Sequence, residues 1–270
     1  MGQKWQFGHS WTPAMTLNPA DLLCVRQVPL LEAAHAETFA KLMRGAYLQW
    51  FPRGAQLTTE GEVNDFLHVL LDGAVELDGS WRDKDSTLAL LRPVSTFVLA
   101  SVILDVPDLM TARTIARSQV LMIPGAVLRE ALREDAGLAV AVAEEVAGCY
   151  SGVVRALKSY KLRGALERLA NYLLSQQQRQ GGGPTLRLPC QKRVLASLLG
   201  MTPENLSRAF ASLGDYGVKV DGPLVTLLQP VALARLARPD ALIDDHGASG
   251  ERALGQAGRE RRRSAAIGGS

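Results

Sequence analysis

The 270-residue chain is 47% hydrophobic and 21% charged, with a net charge of +3, a globular composition that excludes wholesale disorder and leaves room for two ordinary domains. Its cysteines, Cys24, Cys149 and Cys190, are odd in number and far apart, which excludes a disulfide framework, a Cys-x-x-Cys zinc site and a cysteine-ligated iron–sulfur cluster and fits a reducing compartment. No window approaches the ~20 continuous apolar residues of a membrane span, and Gln6 stands where a myristoylation signal wants Ser or Thr, so the expected setting is cytoplasmic, with no membrane partner.

From Ala46 to Pro124, short apolar runs alternate with turn residues. Tyr47 to Phe51, Phe66 to Leu71, Ala74 to Leu77, Thr87 to Leu91, Leu109 to Ala116 and Val120 to Ile123 read as the strands of an antiparallel β-roll, with Gly54, Gly61 and Gly73 at its corners. After Ile123 the period changes. Ala139, Val142, Val146, Cys149, Val153, Ala156 and Tyr160 recur at alternating intervals of three and four, the seam of a coiled coil between two copies of one long helix. A second amphipathic helix carries Leu162, Leu166, Leu169 and Leu173 on one face, runs to about Gln178 and stops at Gly181-Gly182-Gly183-Pro184. No Gly-Lys-Ser/Thr follows that triglycine, so it is a loop and not a phosphate cradle.

Between Tyr160 and Arg238 eleven basic residues face four acidic ones, a balance of +7 in a chain whose total is +3. A basic C-terminal domain on a slightly acidic body is the electrostatic footprint of a nucleic-acid binder. Within it Val194, Leu195, Leu198 and Leu199 make a short amphipathic helix, Gly200 supplies a sharp turn, Thr202 is an N-cap and Pro203 takes the first position of a new helix. That helix buries Leu206, Ala209, Phe210 and Leu213 and presents Glu204, Ser207 and Arg208 at i, i+3 and i+4. In a major groove these are the side chains that reach base edges: Arg to guanine O6 and N7, Glu to the cytosine amino group, Ser to either. Val218-Lys219-Val220, the turn Asp221-Gly222-Pro223 and Leu224 to Leu228 then form a wing that sets Lys219 against phosphate.

Leu198-Leu199-Gly200-Met201-Thr202-Pro203-Glu204-Asn205-Leu206-Ser207-Arg208 resembles the turn and recognition helix of the Crp/Fnr family of bacterial regulators. Phe51-x-x-Gly54-x-x-Leu57 with Gly61, and Leu70-x-x-Gly73-x-Val75, resemble its cyclic-nucleotide-binding β-roll. The resemblance runs from about Leu22 to Arg238. It implies an α+β protein: a β-roll sensor (20–133), a dimerisation helix (134–160) and a winged helix-turn-helix (161–238); outside it lie an N-terminal extension (1–19) and a tail (239–270) that, without apolar periodicity, is expected to be disordered. It also implies a homodimer held through Val142, Val146, Cys149, Val153 and Ala156, bound to double-stranded DNA of the palindromic TTGAT or TTGAC kind through Thr202, Glu204, Asn205, Ser207, Arg208 and Lys219. RNA polymerase is the further partner if the protein is an activator.

The sensor departs from the family pattern. Where cyclic-AMP-binding members carry Phe-Gly-Glu the chain reads Phe97-Val98-Leu99, and the phosphate-binding Arg falls on Asp108 or Met110, with Arg113 read as a structural strand residue. A phosphate buried there would have no counter-charge, so cyclic AMP is not expected to bind. The N-terminal cysteine cluster of an iron–sulfur oxygen sensor is absent, only Cys24 lying in that region. The alternatives for the pocket region of Phe97, Leu99, Arg113 and His68 are a haem held by His68 with Cys149 or Tyr150, as in a gas or redox sensor, a small apolar effector, or no ligand. His9, His35, His68 and His246 are scattered, without His-Glu-x-x-His, Gly-x-Ser-x-Gly or a Walker loop, so no enzyme is expected. A third reading, an interaction module that has lost DNA binding, requires a neutralised recognition face, and Arg208 speaks against it.

Overall fold

The computed structural model describes residues 17–244; most of the N-terminal extension and the tail from 245 on, including Arg259 to Arg263, lie outside the described residues. The order of elements is α1 (Pro19–Arg26), α2 (Pro29–Glu32), α3 (Ala36–Arg44), β1 (Tyr47–Phe51), β2 (Gln56–Thr58), β3 (Phe66–Asp72), β4 (Val75–Trp81), β5 (Lys84–Leu91), β6 (Ser95–Phe97), α4 (Leu99–Leu104), β7 (Thr111–Thr114), β8 (Ser118–Pro124), α5 (Gly125–Glu134) and the long α6 (Ala136–Leu162). There follow α7 (Ala165–Arg179), β9 (Thr185–Arg187), α8 (Lys192–Leu198), α9 (Pro203–Leu213), β10 (Val218–Asp221), β11 (Leu224–Leu227), α10 (Pro230–Ala237) and α11 (Ala241–Asp244). The fold is α+β. Helices α1 to α5, α10 and α11 and strands β2, β6 and β9 are additions to the elements expected from hydrophobic period.

Two four-stranded antiparallel sheets, ordered β1-β8-β3-β6 and β2-β7-β4-β5, enclose one core. Gly73 turns β3 into β4 at φ +93°, and a Cβ there would collide with Ser118 and the Arg117 carbonyl, so the corner requires glycine. A second core, separate in sequence, joins α7 to α10 with β9 to β11. Buried apolar surface is thus gathered twice, as in two domains.

Helix α6 enters from the first core. Its N-cap Asp135 is fully buried and accepts hydrogen bonds from the Leu138 N–H (3.0 Å) and, across to α3, the His35 N–H (2.7 Å). Burial pushes this carboxyl up, but those two N–H groups and the Thr38 hydroxyl outweigh it and hold the group down at about 2. Because the folded value lies below the unfolded one, the stabilisation is fully present above about pH 4 and is lost as pH falls through about 2. Asp135→Ala is expected to lower the melting temperature at neutral pH and to flatten its decline with acid, as read by circular dichroism. An unchanged acid profile would contradict this.

One expectation changes along α6. Val142 was expected in the dimer seam, but it is only 6% exposed and packs with Leu138 into the sensor's own core. The helix is also long and apolar enough, by length and composition alone, to cross a membrane. Glu144 and Glu145 interrupt its apolar run. Beyond Val142, Val146, Cys149, Val153, Leu157 and Tyr160 are exposed on this chain.

Candidate nucleic-acid interface and sensor pocket

In the second domain α8 and α9 meet at Gly200, whose φ of +63° and contact with the Tyr160 ring leave no room for a Cβ. Thr202 caps α9, its side chain accepting from the Asn205 N–H at 3.2 Å, and Pro203 follows at a position where no amide donor is lost. Leu206, Ala209, Phe210 and Leu213 are buried beneath the helix. Glu204, Asn205, Ser207 and Arg208 are all exposed. The Ser207 hydroxyl donates to the Pro203 carbonyl at 3.0 Å, so toward a base it can only accept. Arg208 donates from Nη2 to Asn205 Oδ1 at 2.5 Å, which restrains one edge of its guanidinium. The Glu204 backbone N–H, Thr202 and Arg208 hold the Glu204 carboxyl below the usual range, so it is an ionised acceptor at neutral pH.

The wing is a three-stranded antiparallel sheet, β10-β11-β9. The expected hairpin is present, with exposed Lys219 opposite Thr226, and β9 adds a third strand. Arg187 on β9 and Lys192 and Arg193 at the start of α8 are also exposed; they entered the charge balance without a role. Among HTH helices the first crosses the DNA backbone, and that position was the signal that could have singled out Lys192 and Arg193. Helix α8 is tied to the sensor as well: Ser197 accepts from the Thr87 N–H at 2.7 Å, and Arg92 donates to the Pro189 carbonyl at 2.6 Å.

In the sensor, Phe97 and His68 do come together, stacked with centroids 5.1 Å apart. His68 is buried, and burial lowers its ring to about 4. Its Nδ1 lies 3.0 Å from the Phe66 carbonyl and 3.2 Å from Asn64 Nδ2, two contacts that hold the ring on that side. The register pairs His68 with Phe97 and Val69 with Thr96. Neighbours along a strand face opposite ways, and Thr96 donates to Glu145 on α6 at 2.7 Å. His68 therefore faces away from α6, while Tyr150 and Cys149 lie exposed on that helix. Within one chain, therefore, His68 does not converge with Cys149 or Tyr150, the ligand set of the haem alternative, and these residues do not fit the group there. Among the described residues no cluster of three His, Cys, Asp or Glu could hold a metal.

Arg113, expected near the pocket, is exposed and bonded to Gln56 at 2.9 Å, because it alternates with buried Ala112 and Thr114 on β7. Leu99 is buried at the start of α4, and Val98 before it holds a left-handed conformation, φ +56°. That backbone suits the glycine the family carries here; a β-branched residue adopts it only under strain. Asp108 is 2% exposed. One carboxylate oxygen accepts from Ser101, and the other has no partner among the described residues. Burial raises this carboxyl and the Ser101 hydroxyl opposes the shift. Of the two positions on which the family's phosphate-binding Arg falls, Asp108 is thus a buried acid and Met110 is apolar.

These features define a winged helix-turn-helix DNA-binding protein with a cyclic-nucleotide-binding-like β-roll. Residues 167–236 match the Crp-like helix-turn-helix domain and residues 48–135 the cyclic nucleotide-binding domain. The chain belongs to the Crp/Fnr family of transcription regulators. It is 34% identical over 98 residues to the nitrogen fixation regulation protein FixK of Rhizobium meliloti, a match covering 34% of this chain and 46% of that protein, less than half its length. It is 24% identical over 194 residues to a CRP-like cAMP-activated global transcriptional regulator of Mycobacterium tuberculosis, covering 70% of this chain and 87% of that one. The structure of FixK2 from Bradyrhizobium japonicum is similar in fold, with a TM-score of 0.64 at 23% identity over 73% of this chain and 99% of that one.

Proposed function

We propose that the chain is a homodimeric regulator that reads palindromic DNA of the TTGAT or TTGAC kind and answers to a signal other than a cyclic nucleotide. The observation that carries the reading is the exposed array of Glu204, Ser207 and Arg208 on the first turns of α9, with Arg208 restrained by Asn205. Lys219 on the wing, and Lys192 and Arg193 on α8, supply phosphate contacts that fix the register. The exposed run from Val146 to Tyr160 on α6 supplies the two-fold contact. The Thr87–Ser197 and Arg92–Pro189 bonds give the sensor a physical hold on the reader. If the protein activates transcription, RNA polymerase is its further partner. Fluorescence anisotropy on a labelled palindrome against a scrambled duplex tests the reading; equal affinity for both would overturn it.

Val98 and Leu99, where the family resemblance expects a Gly and a carboxylate, speak against a cyclic nucleotide as the signal. Calorimetry with cyclic AMP and cyclic GMP is expected to show no binding at physiological concentrations, since Val98 and Leu99 take the place of the Gly and carboxylate and neither Asp108 nor Met110 can neutralise a phosphate. A low-micromolar dissociation constant for either would contradict it.

A further inference from the structure

The last described residues were expected to belong to a disordered tail, yet they form a strap across the hinge between the two domains. On one side, buried Asn171 of α7 donates to the Ala237 carbonyl at 2.6 Å and pins the end of α10. Arg238 then turns the chain in a left-handed conformation, φ +46°, and Asp240 caps α11 by accepting from the Leu242 N–H at 2.8 Å. On the other side, α11 packs against α6. Asp244 there accepts two hydrogen bonds from Arg163, both 2.6 Å, and a third from the Asp240 N–H at 2.7 Å. Arg163 is the extended residue that ends α6, with φ −118° and ψ 142° just before α7. Its side chain is only 8% exposed. The match to the Crp-like helix-turn-helix domain stops at residue 236, so the strap lies wholly beyond it.

A bidentate guanidinium–carboxylate pair fixes direction as well as distance. Here it joins Arg163, the first of the two extended residues between α6 and α7, to a segment already anchored on α7, and so closes a ring around the hinge. We propose that Arg163 and Asp244 are positioning residues for DNA reading: they set the angle at which the winged helix-turn-helix leaves α6, and thereby the half-site spacing a dimer accepts. The proposal rests on the dimeric, DNA-reading assignment above. Each base pair inserted between half-sites rotates one about the duplex axis by roughly 35°, so a fixed hinge accepts one spacing and a slack hinge several.

The test is competition binding by the full chain to palindromes whose half-sites are shifted by one and two base pairs either way. The wild type is expected to prefer one spacing about tenfold over its neighbours. Asp244→Ala and Arg163→Lys should narrow that ratio to about twofold, while discrimination at the guanine of a single half-site stays as in the wild type. Asp244→Glu should keep part of the preference, and the exchanged pair Arg163→Asp with Asp244→Arg should recover part of it. Arg163→Lys keeps the charge and carries the test should Asp244→Ala fail to fold. Variants that keep the wild-type spacing profile, or lose affinity equally at every spacing, overturn the proposal alone. A wild type that prefers the palindrome to scrambled DNA but is indifferent to spacing refutes the strap as a ruler, whereas one with no preference for the palindrome refutes the DNA-reading assignment beneath it.

Discussion

Arg208→Ala is expected to cost about 1–3 kcal/mol per half-site and to relax discrimination at one base pair, the guanine of the TTGAT-like half-site. The guanidinium is exposed near the start of α9, where side chains of a helix in the major groove meet base edges, and Asn205 already holds its Nη2. Lys219→Ala should behave differently. A phosphate contact is blind to sequence, so its loss weakens all duplexes about equally and flattens the salt dependence by about one charge per site. Competition binding at two salt concentrations separates the two. An Arg208→Ala variant that keeps full selectivity at the guanine would remove Arg208 from the readout.

Val146→Glu and Val153→Glu are each expected to convert the dimer to monomers and to weaken operator binding steeply. Both valines are exposed on the single chain, at 38% and 67%, beside Leu157 and Tyr160 on the same helix. In a two-fold contact each glutamate meets its own copy, so like charges would face one another in a dry seam. Val142→Glu is a different case. It would place the charge in the sensor core and destabilise the protomer itself. Light scattering on the three variants distinguishes these outcomes, and a full dimer for both Val146→Glu and Val153→Glu would move the interface elsewhere.

The reader domain was legible in sequence because its signals are local. Gly200, Thr202 and Pro203 mark a turn, a cap and a helix start within four residues, and the apolar spacing from Leu206 to Leu213 defines the buried face. The sensor was legible as a series of strands but not as a pocket. Whether Arg113 faces in or out depends on strand parity, and the parity follows from a pairing of β7 with β4 that only the folded chain reveals. Val142 shows the same limit on a helix, where one apolar stripe serves the protomer core at its start and lies open further on. Period cannot tell those uses apart. The Arg163–Asp244 pair joins residues 81 apart in sequence, and nothing local announces it. Val98 was recognised as the loss of a glycine, but the strained backbone it retains became visible only as a dihedral angle.

The most direct test of the central claim is selection of bound duplexes from a random pool by the purified wild-type chain, followed by sequencing. The enriched set is expected to be a palindrome of two TTGAT-like or TTGAC-like half-sites whose centres lie about one helical turn apart, ~34 Å. Enrichment without a palindrome, or of half-sites that lack the guanine assigned to Arg208, would contradict the claim that this chain reads DNA as a two-fold dimer through α9.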